Sequence, residues 1–127
     1  MSSLYENNKK EKLISYKQKL FIKTSLRQLG ISPNHNGFIA FQKAIGYAYK
    51  KDMITINLEE IYKNVGKNTS QSHKTIESSI RYSFYNISTK KLSINYEKIF
   101  GVEFSLEFFS IRSLISDFID VLEAMES

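Results

Sequence analysis

The fold is decided by residues 58–87, which read LEEIYKNVGKNTSQSHKTIESSIRYSFYNI. Apolar side chains recur at helical spacing in the first part, which predicts a short amphipathic helix over 58–65 that Gly66 ends. A second apolar stripe predicts a longer helix over 72–87, with the polar turn 67–71 between the two. The stripe of the second helix consists of Ile76, Ile80, Phe84 and Ile87. Two amphipathic helices joined by a short glycine-containing turn are typical of a helix-turn-helix.

The rest of the chain predicts helices as well. They cover about 9–29, 38–50, 94–100 and a last segment from 106 or 110 to 125. The single proline and five glycines argue against a turn-rich sandwich, and the β-prone run 53–56 is too short to build a sheet. We therefore expect an all-α fold of about six helices. Its domains are a basic, largely helical N-terminal extension (1–25) and a helix-turn-helix domain (26–127).

Cap residues and apolar stripes make this expectation specific. Asn57 is expected to cap the helix over 58–65, and Ser93 the helix over 94–100. The helix over 72–87 has Thr69, Ser70 or Ser72 as its candidate N-caps. The first helix ends at Gly30, and its apolar positions are Leu13, Tyr16, Leu20, Phe21, Thr24 and Leu26. The helix over 38–50 has its apolar stripe at Phe38, Phe41, Ala44, Ile45, Ala48 and Tyr49.

The charge is distributed unevenly along the chain. The 127 residues carry a net charge of +5. Residues 1–91 contain sixteen Lys or Arg and six acids, a net +10, whereas residues 92–127 contain two and seven, a net −5. Such asymmetry indicates one surface that attracts polyanions. Nucleic acid is the first candidate partner and an anionic membrane surface is the second.

Composition also argues against several classes of function. The chain has no cysteine, and His35 and His73 are far apart, so we expect no metal site and no cofactor. We find no paired carboxylates and no nucleophile with a histidine partner, so we expect neither an enzyme nor a small-molecule substrate. The run Gly66-Lys67-Asn68-Thr69 lacks the spacing of a P-loop. No apolar run reaches membrane-spanning length and no signal peptide is visible, so we expect a cytoplasmic protein without membrane contact.

The helix over 72–87 carries the candidate DNA-binding residues. Its apolar stripe would face the domain, leaving a polar and cationic side for the major groove of double-stranded DNA. Its N-terminus would also offer amides and a positive dipole to a phosphate. The candidates are Lys67, Ser72, His73, Lys74, Glu77, Ser78, Arg81, Lys90 and Lys91. Since such proteins commonly bind operators as dimers, a homodimer through the last helix is an open expectation.

A resemblance sharpens this interpretation. The pieces that carry it are Leu29-Gly30-Ile31, Gly37-Phe38, Ala44-Ile45, Glu77 with Ile80-Arg81, Phe100-Gly101 and Ser116-Asp117-Phe118-Ile119. In this order and at this spacing, residues from about 26 to 125 resemble the C-terminal DNA-binding effector domain of the sporulation master response regulator of Firmicutes. The resemblance implies a six-helix fold whose fourth helix reads DNA, with Glu77 and Arg81 on it, and a role in regulating transcription during sporulation.

The chain departs from this family at three points. Ser78 and Thr75 stand where the family has arginines, and the turn 67–71 is about four residues longer. Since a lost base contact weakens binding by about 1–3 kcal/mol, the family's target sequence is not carried over. Only about 25 residues precede the match, so we expect no phosphoacceptor receiver domain. Two alternatives stay open: a protein-interaction module that binds a regulator or another partner, and a DNA-binding protein for plasmid or phage maintenance.

Overall fold

Six helices follow one another in the computed structural model, which describes residues 11–126. They are α1 (Tyr16–Leu29), α2 (Asn36–Lys50), α3 (Leu58–Thr69), α4 (His73–Tyr82), α5 (Thr89–Phe100) and α6 (Ile111–Ala124). No strand occurs between residues 11 and 126. The prediction of an all-α fold with about six helices is therefore confirmed. The first ten residues of the chain, including the predicted helix start at Lys9, lie outside the described part.

A side chain caps the N-terminus of every one of these helices by accepting a backbone N–H from the first turn. The predicted caps Asn57 and Ser72 are confirmed. The predicted cap Ser93 is wrong, because α5 begins five residues earlier and Ser93 lies inside it. The six capping residues are Ser15, His35, Asn57, Ser72, Ser88 and Ser110.

Two predicted helix ends are also wrong. Helix α3 does not stop at Gly66 but continues to Thr69, so the turn before α4 shrinks from five residues to 70–72. Helix α4 ends at Tyr82 rather than near Ile87. The Ser83 hydroxyl donates to the carbonyl of Ile80, and the following amides bond three residues back, which replaces α-helical pairing with tighter turns.

The core is built around α2. This helix contacts α1, α3, α4 and α6, and Phe41, Ala44, Ile45 and Ala48 on it are fully buried, as its stripe predicted. Helix α6 adds Leu114, Ile115, Phe118 and Leu122 to the core. Helix α5 packs on α1 and α6 instead.

The stripe predicted for α1 is mostly wrong. Leu13 is 92% exposed and Tyr16 79%, and Leu20 and Thr24 are exposed as well. The buried face consists of Gln18, Ile22, Ser25, Leu26 and Leu29. Helix α1 runs without a break across the boundary expected after residue 25.

Gln18 explains why a polar residue takes a core position. Its side-chain amide donates to the Tyr49 hydroxyl (2.9 Å) and to the carbonyl of Leu122 (2.8 Å). A buried polar group is stable only when it is hydrogen-bonded, and this one joins α1 to α2 and α6.

The two ends of the described chain meet at Lys12. Its ammonium lies 3.0 Å from the Asp52 carboxylate, 3.7 Å from that of Glu123 and 3.5 Å from that of Glu126. It also lies 5.1 Å from the centre of the Tyr49 ring. The segment before α1 is thereby attached to the end of α6.

Candidate nucleic-acid interface

Helix α4 is held against α3 by a close backbone approach at Gly66. A Cβ atom at this position would lie 2.4 Å from the carbonyl oxygen of Gln71, closer than Cβ atoms in proteins approach non-bonded atoms. The Gln71 amide donates to the Gly66 carbonyl over 2.8 Å. The turn 70–72 therefore closes onto α3 because residue 66 has no side chain.

A second close approach fixes α4 on α2. A Cβ atom at Gly37 would lie 2.2 Å from the carbonyl oxygen of Ser79 and 2.9 Å from the Ser83 Cβ. Between these two contacts Ile76 and Ile80 are completely buried, as predicted for the inner stripe. The position of α4 is thus set from two sides, and its opposite side faces outward.

The outward side of α4 carries most of the predicted site. Lys74, Glu77 and Arg81 are exposed, whereas His73 and Ser78 are half-buried. An open cavity of about 430 Å³ lies along this side, and its lining is His35, Asn36, Lys74, Thr75, Ser78, Ser79 and Tyr82. Sequence reasoning missed His35, the N-cap of α2, and Asn36, the first residue of that helix. Their place beside Ser78 depends on how α2 packs on α4, and periodicity carries no signal for it.

Arg81 is positioned by weak contacts. Its guanidinium lies 3.9 Å from the Glu77 carboxylate, and both side chains are about half exposed. It also lies 5.7 Å from the centre of the Tyr82 ring. An exposed pair one helical turn apart stabilises by only about 0.3–0.5 kcal/mol, so Arg81 can leave Glu77 for a stronger partner.

Tyr62 on α3 is a titratable side chain near α4 with a shifted pKa. Burial, with a contribution from the Glu77 carboxylate, raises the pKa of Tyr62 to about 12. Tyr62 is almost fully buried on α3. This phenol is therefore neutral at physiological pH.

The N-terminus of α4 uses Ser72 as its cap. The Ser72 hydroxyl oxygen accepts the Thr75 amide over 3.1 Å and lies 2.8 Å from the Thr75 hydroxyl. The amides of the first helical residues have no acceptor within a helix, and the dipole there is positive. This end can receive an anion alongside Lys74.

The three outer lysines of the predicted site lie on other helices. Lys67 is exposed in the last turn of α3. Lys90 and Lys91 are exposed in the first turn of α5, where they line a shallow depression of about 290 Å³ with Ser88, Ile94 and Asn95. The structure therefore distributes the nine residues over three helices, with six of them in α4 or its cap.

Neither a metal-binding cluster nor a membrane-spanning helix is found in the part of the chain that the structure describes. No group of three or more His, Asp or Glu side chains between residues 11 and 126 is arranged to hold a metal ion. None of the helices described is both long and apolar enough to cross a bilayer.

Comparison with known proteins gives no match: no family model, no curated protein and no solved structure is significantly similar to the chain. The residues themselves therefore have to indicate the function.

Proposed function

We propose that this chain is a double-stranded DNA-binding transcriptional regulator that inserts α4 into the major groove. The observation that carries the proposal is the polar, cationic outward side of a helix held in place on α2 and α3. A recognition helix has to present such a side at a fixed angle, because base edges are read by side chains of defined reach. The resemblance to sporulation effector domains supports the same helix and suggests a role in sporulation.

The residues divide by reach and chemistry. Arg81 and Glu77 suit base edges, since arginine donates to guanine and a carboxylate accepts from cytosine N4. Ser78, between them on the outward side, suits a base of either kind. Lys67, Lys74, Lys90 and Lys91 suit phosphates, which give affinity without reading sequence, and Ser72 and His73 lie where a phosphate would meet the helix N-terminus.

At two positions the family that the chain resembles has arginines, and their absence here should weaken the reading of bases. Thr75 and Ser78 both line the open cavity beside α4, so nothing bulky replaces the missing guanidinium groups. Short hydroxyl side chains discriminate bases less strongly than a bidentate arginine does. We therefore expect a target sequence different from that of the family, with Arg81 as the main source of discrimination.

The test is a selection from random duplex DNA with the full chain, followed by fluorescence anisotropy on the selected sequence. Arg81→Ala should weaken binding by about 5- to 160-fold, the equivalent of about 1–3 kcal/mol. Arg27→Ala, an exposed arginine on α1, is the matched control and should have little effect. Tight binding that is equal in both variants would contradict the assignment of α4. A palindromic selected site would indicate a dimer.

A protein-interaction module is the second candidate, and one observation favours it. Tyr82 is 48% exposed and Tyr85 67%, and their rings meet edge-on at 4.7 Å beside Arg81. Tyrosine and arginine are enriched in protein interfaces. If no duplex binds at micromolar protein and physiological salt, this second function becomes the better one.

A further inference from the structure

A second cationic cavity lies away from α4, between α1, α2 and α3. Its volume is about 560 Å³. Its apolar part consists of Ile14, Ile22, Gly46 and the Tyr47 ring. Its polar part comprises four lysines, three side-chain amides and one carboxylate: Lys19, Lys43, Lys50, Lys51, Gln42, Asn64, Asn68 and Glu11. We call this cavity the α1–α3 groove. The proposed DNA-binding residues do not line it.

Gly46 keeps the groove open. It lies in the interior of α2, where glycine is less favourable than alanine. Unlike Gly37 and Gly66, it is not required by a close neighbour, since a Cβ atom there would meet nothing within 4 Å. Close packing therefore does not explain why residue 46 is glycine. Keeping the groove above this residue open would explain it.

The groove has an excess of positive charge. Lys51 is held by Glu11, whose carboxylate lies 2.9 Å from its ammonium. Within residues 11–126 no carboxylate lies within ion-pair distance of Lys19, Lys43 or Lys50. The lining thus carries four positive charges and one negative charge. A ligand with about three negative charges would balance it.

The amides and the aromatic ring narrow the ligand class. The Asn68 amide donates to the Asn64 side-chain oxygen over 3.2 Å, which orders these two amides on the α3 side of the groove. The Tyr47 hydroxyl donates to Glu60 over 3.1 Å, which fixes the ring on the α2 side. Side-chain amides pair with the edges of nucleobases, and aromatic rings stack on their faces.

We propose that the α1–α3 groove binds a nucleoside di- or triphosphate. The ammonium groups of Lys19, Lys43 and Lys50 hold the phosphates, and the amides with the Tyr47 ring hold the base. The volume falls within the range of about 300–1,000 Å³ that is usual for small-molecule sites. The proposal departs from the sequence-based expectation of no small-molecule substrate, and it is independent of DNA binding.

The test is isothermal titration calorimetry of the full chain with ATP, GTP and inorganic triphosphate, without metal, at about 150 mM salt. We expect one site per chain, and at least tenfold tighter binding of one nucleotide than of triphosphate. Lys43→Gln with Lys50→Gln should weaken that binding by tenfold or more, because two charge-assisted contacts are lost. Gly46→Leu should abolish it by filling the groove, with the helical circular dichroism unchanged.

The matched control is the pair Lys90→Gln and Lys91→Gln, which removes the same charge from the proposed DNA interface. It should leave nucleotide binding unchanged and weaken duplex binding, whereas Gly46→Leu should do the reverse. These variants therefore show separately whether nucleotide binding in the groove or duplex binding at α4 fails. The groove proposal is overturned if neither nucleotide binds below 1 mM, if triphosphate binds as tightly as both nucleotides, or if Gly46→Leu retains binding. It is also overturned if the Lys43 and Lys50 changes weaken only duplex binding.

Discussion

Replacing Gly66 by alanine tests whether the turn between α3 and α4 depends on a missing side chain. Both Gly66 and Gly46 lie inside helices, where alanine is normally better than glycine by about 0.5–1 kcal/mol. Propensity alone therefore predicts that both substitutions stabilise the protein. The structure predicts opposite signs, because the space around the two residues differs.

The magnitude follows from the contact at position 66. A Cβ atom 2.4 Å from the Gln71 carbonyl oxygen has to push backbone apart, since no flexible side chain can yield. Overpacking of this kind costs about 1–3 kcal/mol, and losing the 2.8 Å bond from Gln71 to Gly66 costs about 1 kcal/mol more. After the gain in propensity, Gly66→Ala should destabilise by about 1–3 kcal/mol. Gly46→Ala should stabilise by up to about 1 kcal/mol.

Urea denaturation at 25 °C, followed by circular dichroism at 222 nm, measures both changes in one assay. For a chain of this length each kcal/mol corresponds to a shift in Tm of about 4 °C, so thermal melts give an independent reading. Gly66→Ala should also weaken duplex binding, because α4 shifts on α3. The reasoning is refuted if Gly66→Ala is as stable as the wild type, or if both variants change in the same direction.

Three further predictions concern the core, alkaline pH and salt. Gln18→Ala should destabilise the folded protein by about 2–4 kcal/mol in urea denaturation, because the Tyr49 hydroxyl and the Leu122 carbonyl lose a buried donor. The control Gln28→Ala, at an exposed position on the same helix, should change the stability little. The pKa of Tyr62 is raised to about 12 in the folded state from about 10 in the unfolded chain. The stabilisation from its neutral phenol is therefore complete below pH 10 and is lost as the pH rises through 12. Tyr62→Phe should reduce this loss, on the order of 2 kcal/mol, in denaturation curves recorded at increasing pH, and an unchanged series would exclude this role of Tyr62. If the four lysines proposed for phosphates do contact them, duplex affinity should fall about 150-fold between 50 and 200 mM salt, and a flat anisotropy series would contradict the interface.

Where burial follows hydrophobicity, the sequence predicts the fold well. The α2 stripe is confirmed, as are Ile76 and Ile80 of the α4 stripe, because residues such as Phe41, Ala44, Ile76 and Ile80 have no polar side-chain atoms to satisfy. Phe84 and Ile87 of the same predicted stripe are only half-buried and lie beyond the end of α4. The prediction fails on α1, where Gln18 is buried while Leu13 is exposed. Gln18 can occupy the core because Tyr49 and Leu122 supply partners distant along the chain, and helical periodicity contains no information about them.

Helix boundaries fail for a related reason. Gly66 has the sequence signature of a helix stop, yet it lies inside α3 because Gln71 approaches it. Ser88 and Ser93 are both plausible caps, and only packing of α5 on α1 and α6 selects the first. The candidate residues of α4 could be named from the sequence. Two features could not be predicted because they depend on tertiary packing. One is the place of His35 in the cavity beside α4, and the other is the position of Lys90 and Lys91 on α5.

The ion pairs of Lys12 have a consequence for how the chain is connected. Because they bring residue 12 to the last residues of α6, a short linker could join these two regions without rearranging any helix. New ends could then open in the connector before α3, where Ile54 is fully exposed. In such a circular permutant α3 would come first and α2 last. If such a permutant folds, the architecture depends on which helix faces touch rather than on the order of the helices along the chain.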